Sequence, residues 1–190
     1  VWRLQYWPAN LSNRKNAGVI GASITHLKSF YPSLNKIDVI SHSMGSLAVR
    51  GYIQNIGVSS SGYNRPYQNN IRKYVIIAGP MYGSYLANLI NMDFNFPWEW
   101  DVAIWWKALS GKSEATDDLE VGSNFTFELN NDPLNQNVNY LTIAGNDFCI
   151  YNLICSNQDE TNDVVVPLRS ANLLEEGIPL IILNNNHINI

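Results

Sequence analysis

The sequence predicts an α/β domain, a mainly parallel sheet flanked by helices. Two observations carry that expectation. Short apolar runs with strand character alternate with segments whose apolar residues recur at helical spacing, the pattern of βαβ units. The runs "IDVIS", "KYVIIAG", "NYLTIAG" and "IPLIIL" are continuous rather than alternating, as expected of parallel strands buried on both faces. A chain of 190 residues with 46% hydrophobic content can bury one substantial core, so a single domain over 1–190 is expected.

The elements follow in order. "VWRLQYW" (1–7) reads as a strand ended by Pro8. Residues 17–31 carry Ile20, Ile24 and Leu27 at helical spacing, and Pro32 stops them. "IDVIS" (37–41) is a short strand. Residues 44–56 return to helical period through Met44, Leu47, Ala48, Tyr52 and Ile56, and a polar loop over 57–70 follows. "KYVIIAG" (73–79), "NYLTIAG" (139–145) and "IPLIIL" (178–183) are the remaining strands, with a helical segment "PLRSANLLEE" (167–176) before the last.

Residues 88–130 interrupt this alternation. Phe94, Phe96, Trp98, Trp100, Trp105 and Trp106 crowd into them, including four of the six tryptophans. A lid-like insertion is expected here, with Trp98, Trp105 and Trp106 as a wall for an apolar substrate. The alternative is a helical excursion whose aromatics complete the core.

Ser43 stands at the centre of the chemistry. "KIDVISHSMGSLAVRGY" (36–52) passes from strand to helix through a turn with small residues two before and two after it, Ser41 and Gly45. A serine hydroxyl is a weak nucleophile. It needs a base for its proton and donors for the oxyanion it creates. A sharp strand-to-helix turn lifts the hydroxyl clear at the carboxyl edge of a sheet. The next N–H, that of Met44, then points from the helix N-terminus, where negative charge is favoured. The competing reading is a plain helix cap.

These residues carry a resemblance. "DVISHSMGSLAVRGYI" resembles the nucleophile elbow of α/β-hydrolase lipases and esterases, whose run is V-x-H-S-M-G-G-L-x-x-R-x-Y. Leu47, Arg50 and Tyr52 match; Ser41 and Ser46 stand where glycines are usual. "YVIIAGPMYGSYLANL" (74–89) is similar to the next strand and its T-P-H-x-G-S loop, with Met81 in place of His. "LEVGSNFTFELNNDP" (119–133), "YLTIAG" and "NDVVVPLRSANL" (162–173) resemble later segments in the family's order. The resemblance implies an α/β-hydrolase fold and a lipase-like serine ester hydrolase that cleaves acyl esters through an acyl-enzyme.

In that fold the acid and then the histidine follow the serine along the chain. Of the three histidines, only His187, after the last strand in "LNNNHINI", lies in a loop at the carboxyl edge. Three asparagines before it make a polar turn expected to be flexible enough to swing the imidazole over Ser43. His42 is expected to pack beside the elbow and His26 to lie on a helix surface. Asp163 is the first candidate for the orienting carboxylate, leaving room for one helix and one strand before His187; Asp147, Asp159 and Glu160 compete. The Met44 N–H is the expected first oxyanion donor. The second usually comes from a loop ahead of the strand that "VWRLQYW" resembles. With that strand missing, a non-Met start at Val1 and an end three residues past His187, the chain is expected to be an N-terminally incomplete piece of a larger hydrolase, or a divergent member. An acyltransferase on the same triad and a non-catalytic binding module are the rival functions.

The bulk charge narrows the partners. A net charge of −4 with scattered Lys and Arg offers no footprint for nucleic acid. An acyl ester or lipid substrate and transient contact with a lipid interface are expected. No stretch approaches a membrane span, and no signal peptide is visible. No cofactor is expected. Some such lipases hold calcium through an aspartate two residues after the histidine; here that residue is Asn189, so no metal is expected, and no Cys/His spacing suggests zinc. Asp117, Asp118 and Glu120 read as a solvated face. Cys149 and Cys155 pair in a small disulfide loop or stay separate thiols. With the sequons at Asn10 and Asn124 and the family's habits, they point to a secreted or extracytoplasmic protein.

Overall fold

The computed structural model describes residues 1–4, 11–56, 65–91, 112–146, 163, 165–173 and 177–190. Within them lie α1 (Asn13–Phe30), β1 (Ile37–His42), α2 (Gly45–Ile53), β2 (Ile71–Ile77), α3 (Tyr85–Asn91), α4 (Glu114–Leu119), α5 (Asn124–Asn131), β3 (Asn139–Gly145), α6 (Leu168–Ala171) and β4 (Leu180–Leu183). The strands form one four-stranded sheet in the order β1-β2-β3-β4, and every pairing is parallel. Sequential order with parallel pairing needs a crossover between neighbours. The α2 helix supplies the first, which is why the helical period of 44–56 falls where it does.

The register brings four strand ends to one edge. His42 pairs with Ile77, Ile77 with Ile143, and Gly145 with Leu183. Residues that leave the strands at this carboxyl edge share one neighbourhood. Such edges are where ligands bind in open α/β sheets.

The main core fills one face. Ile20 and Ile24 of α1 pack with Leu47, Tyr52 and Ile53 of α2 over Ile71, Tyr74 and Ile76 of β2. The α1 helix starts at Ser12, whose side chain accepts from Lys15 N–H. The α2 helix ends in a turn where Asn55 takes φ 60°, so the expected helix over 44–56 stops three residues early. Phe125 and Leu129 of α5 and Leu119 of α4 enter the same core at 1% exposure or less. This part of 88–130 is therefore core. The aromatic run from Phe94 to Trp106, with Trp98 and Trp105, lies outside the described residues, as do Cys149 and Cys155.

Three expectations need correction. Residues 1–4 form no strand and are exposed, while 5–7 lie outside the described residues; Trp2 packs edge-on against Tyr31 at 5.7 Å instead of pairing with β1. The strands are not all buried on both faces. Among the described residues β1 and β4 are the outer strands, Ile40 is 71% exposed, and Ile181 to Leu183 are exposed too. Val39 points at the helices, so its neighbour Ile40 must point away. The helix expected over 167–176 is only α6, because Asn172 turns to extended backbone at ψ 132°.

Candidate active site

Ser43 leaves β1 with φ 53°, in the left-handed region that costs a non-glycine residue on the order of 1–2 kcal/mol. Three interactions hold it there. Its N–H donates to Ile77 O at 2.9 Å, its C=O accepts from Ser46 N–H at 2.9 Å, and its Oγ meets His187 Nε2 at 2.8 Å. The hydroxyl therefore does not cap α2. Met44 occupies the cap position and supplies no side-chain cap bond. The Met44 N–H has no hydrogen-bond partner among the described residues, and it heads the positive end of α2.

The two glycine replacements in the elbow form one polar cluster. Ser41 Oγ donates to Ser46 Oγ at 2.8 Å and lies 2.8 Å from the Tyr74 hydroxyl, which donates to Ser46 O. Burial pushes the Tyr74 phenol well above its ordinary pKa. The cluster satisfies polar groups that the strand–helix approach would otherwise strand in the core.

His187 and Asp163 come from the loops beyond β4 and β3. His187 Nδ1 lies 2.8 Å from Asp163 Oδ2. Asp163 Oδ1 accepts from the N–H groups of Val165 and Val166 at 3.1 and 2.7 Å. The His187 N–H donates to Asp163 O at 2.8 Å, so backbone and side chain of the two residues are both tied. Asp163 is 1% exposed and His187 4%. A buried carboxyl group with three donors around it has its oxygens satisfied, and it fixes the orientation of the imidazole.

The asparagine turn carries the imidazole to Ser43, and its own side chains brace it. Asn186 Oδ1 accepts from Ile188 and Asn189 N–H groups at 3.1 Å, and Asn185 Nδ2 donates to Asn189 O at 2.8 Å. The turn presses on the end of β3. A Cβ at Gly145 would fall 2.2 Å from Asn185 O and 2.8 Å from Asp163 Cβ, so only glycine admits both loops.

Other residues brace the acid loop. Ser84 Oγ donates to Val165 O at 2.6 Å, and Ser170 Oγ donates to Gly83 O at 2.5 Å. Met81 N–H donates to Ser170 O at 2.9 Å. The loop after β2 thus grips the segment that carries Asp163. Arg50 reaches from α2 to Asn130 Oδ1 at 2.8 Å and Leu129 O at 2.9 Å, and Asn130 Nδ2 donates to Met81 O.

Ser43, Asp163, His187 and Met44 are thus brought together. Asp147, Asp159 and Glu160 lie outside the described residues, as do Trp98, Trp105 and Trp106. His26 is exposed on α1 and stacks edge-on against Phe30. Asp118 is not on a solvated face. It is half-buried, accepts from Asn13 N–H at 2.5 Å, and burial raises its pKa to about 6. Gly145, Ser84 and Ser170 were not singled out by spacing. A glycine at a strand's carboxyl end was the one signal available for Gly145.

A parallel sheet with a left-handed serine at the turn after β1, and its partners in later loops at the same edge, defines an α/β-hydrolase. Residues 28–168 match the family model described as "Lipase (class 2)", and the chain belongs to that family. The match includes Ser43 and Asp163 and stops before His187. The Bacillus licheniformis lipase BlEst2 in its mature form is similar in structure, with a TM-score of 0.71 and 18% identity over 95% of this chain and 69% of that one. Phospholipase PlaB from Legionella pneumophila is similar over 90% of this chain and 36% of its own, with a TM-score of 0.62 and 16% identity. Staphylococcus hyicus lipase matches with a TM-score of 0.50 and 17% identity over 80% of this chain and 62% of its own. No curated protein sequence matches the chain. Among the described residues no helix is long and apolar enough to cross a membrane.

Proposed function

We propose that the chain carries a lipase-like serine ester hydrolase site. The observation that supports this reading most is the continuous relay from Asp163 through His187 to Ser43, with 2.8 Å at both links. Ser43 Oγ attacks the ester carbonyl as its proton passes to His187 Nε2. Asp163 holds Nδ1–H and stabilises the imidazolium. The Met44 N–H stabilises the oxyanion. The imidazolium then protonates the leaving alcohol, and water, activated by the same imidazole, releases the acid.

Trp98, Trp105 and Trp106 are proposed to wall an acyl chain, and a secreted or extracytoplasmic setting fits the family. Acyl esters or lipids are the proposed substrates. The test is labelling by a fluorophosphonate probe, alongside hydrolysis of p-nitrophenyl esters of rising chain length. Labelling that disappears in Ser43→Ala supports the reading. A folded wild-type chain that neither labels nor hydrolyses overturns it.

A further inference from the structure

We propose that His42 is a positioning residue for His187, holding the base in line between Asp163 and Ser43 through its bond to the His187 carbonyl, and that the base works at full rate while His42 is neutral. The inference rests on the triad reading. His42 Nε2 lies 2.8 Å from the His187 carbonyl oxygen. A carbonyl only accepts, so the neutral His42 ring carries its hydrogen on Nε2 and donates it. The bond fastens the carboxyl edge of β1 directly to the base, in addition to the Asp163 loop. No other side chain among the described residues bridges the His187 backbone to the strand that carries Ser43.

The two rings are close, with centroids 4.9 Å apart and planes tilted by 47°. When His187 takes the Ser43 proton, its positive charge forms beside His42. A neutral His42 tolerates that charge. A protonated one keeps its hydrogen bond but opposes the second cation, which raises the barrier to acylation. Among the described residues, His187 and Asp163 are the titratable groups that act on His42, and β2 offers only apolar Ile77 opposite it. Burial pushes the His42 pKa below its ordinary value; its bond to the His187 carbonyl and the Asp163 charge oppose that shift, and the His187 charge adds to it. His42 is thus kept neutral near pH 7, and its protonation in acid slows the reaction.

The experiment compares wild type with His42→Gln, whose amide reaches the same acceptor and never titrates, and His42→Phe, which keeps a ring and loses the donor. Steady-state ester hydrolysis is followed from pH 5 to 9, with fluorophosphonate labelling rates in parallel. His42→Phe is expected to lower kcat on the order of ten- to hundredfold at pH 8 with KM little changed, because a misdirected base affects the transition state and not substrate binding. His42→Gln is expected to restore most of that rate. On the acid side, wild-type kcat/KM should fall more steeply than that of His42→Gln, because only the wild type gains a second charge beside the base. Equal rates for His42→Phe and wild type, or an acid limb in His42→Gln as steep as the wild type's, overturn the inference while leaving the triad intact. Should His42→Phe not fold, the comparison of acid limbs between wild type and His42→Gln decides alone. A folded wild type that does not react with the probe instead overturns the triad reading beneath it.

Discussion

Ser43 occupies the one backbone conformation in the site that its own side chain resists, and the surrounding bonds to Ile77, Ser46 and His187 keep it there. Strain held this way fixes the hydroxyl against the imidazole before any substrate arrives. Asp163 acts one bond further out. Asp163→Asn keeps the shape of the loop but presents an amide, which favours the wrong His187 tautomer; kcat is expected to fall about 10⁴-fold, by analogy with the general triad case. Stopped-time hydrolysis assays with thermal melts check it: a loss below tenfold in a folded variant would remove Asp163 from the orienting role. That Ser43, Asp163 and His187 would meet was legible in the sequence because the proposed chemistry restricts them to few residue types and the chain holds only three histidines. The support for them was not. Ser170 and Asn186 act through backbone carbonyls and amides, partners that any small polar residue in a loop can find.

At the scale of elements, the strand ends determine whether the loops converge. Gly145 closes β3 where the backbone of Asn185, in the loop carrying His187, and the Asp163 side chain both come within reach. Gly145→Ala is expected to displace that loop, lowering the probe-labelling rate of Ser43 at least tenfold while the core of α1, α2 and β2 persists. Wild-type labelling in Gly145→Ala would show that the loop accommodates a methyl group without moving His187. The α2 helix has a second attachment in Arg50, which is 1% exposed and donates to Asn130 and Leu129 of α5. Removing a buried charged donor leaves its acceptors unpaired, so Arg50→Ala is expected to destabilise the fold by about 3–5 kcal/mol in urea unfolding. A loss under about 1 kcal/mol would mean that water replaces the guanidinium. Strands β2 and β3 were legible to within two residues because their apolar runs are uninterrupted. The helix expected over 167–176 was misread because its composition suits a helix, whereas the contacts of Val165 and Ser170 with the loop after β2 fix the segment's path.

Over the described residues, burial is incomplete at the outer strands of the sheet, on one face of β1 and on both faces of β4. Ile40 on β1 and Ile181 and Ile182 on β4 are exposed, although their sequences read as interior strands. Periodicity reports which residues are apolar; neighbour order decides which of them find cover, and that order is a property of the complete sheet. The same non-local logic explains Asp118. In sequence it belongs to an acidic surface run, yet packing of α4 against the start of α1 buries it beneath Asn13, an approach that helical spacing could not reveal. Burial is the largest influence on its carboxyl, helped by Asp117 and Glu114 and opposed by the Asn13 N–H and Arg14, so its pKa rises from 3.8 to about 6. A carboxyl with a raised folded-state pKa binds its proton more tightly in the native protein than in the unfolded chain. Its contribution to stability is therefore full below about pH 4 and is lost as pH rises through about 6. Asp118→Asn removes that titration while keeping an acceptor for Asn13. The variant's melting temperature relative to wild type should accordingly rise between pH 4 and pH 7.5, most steeply near pH 5, midway between 3.8 and about 6. Paired melts across that range decide the matter: a constant offset would show that the Asp118 charge is not desolvated at the junction of α1 and α4, and a falling one that the helix N-terminus stabilises the anion more than burial opposes it.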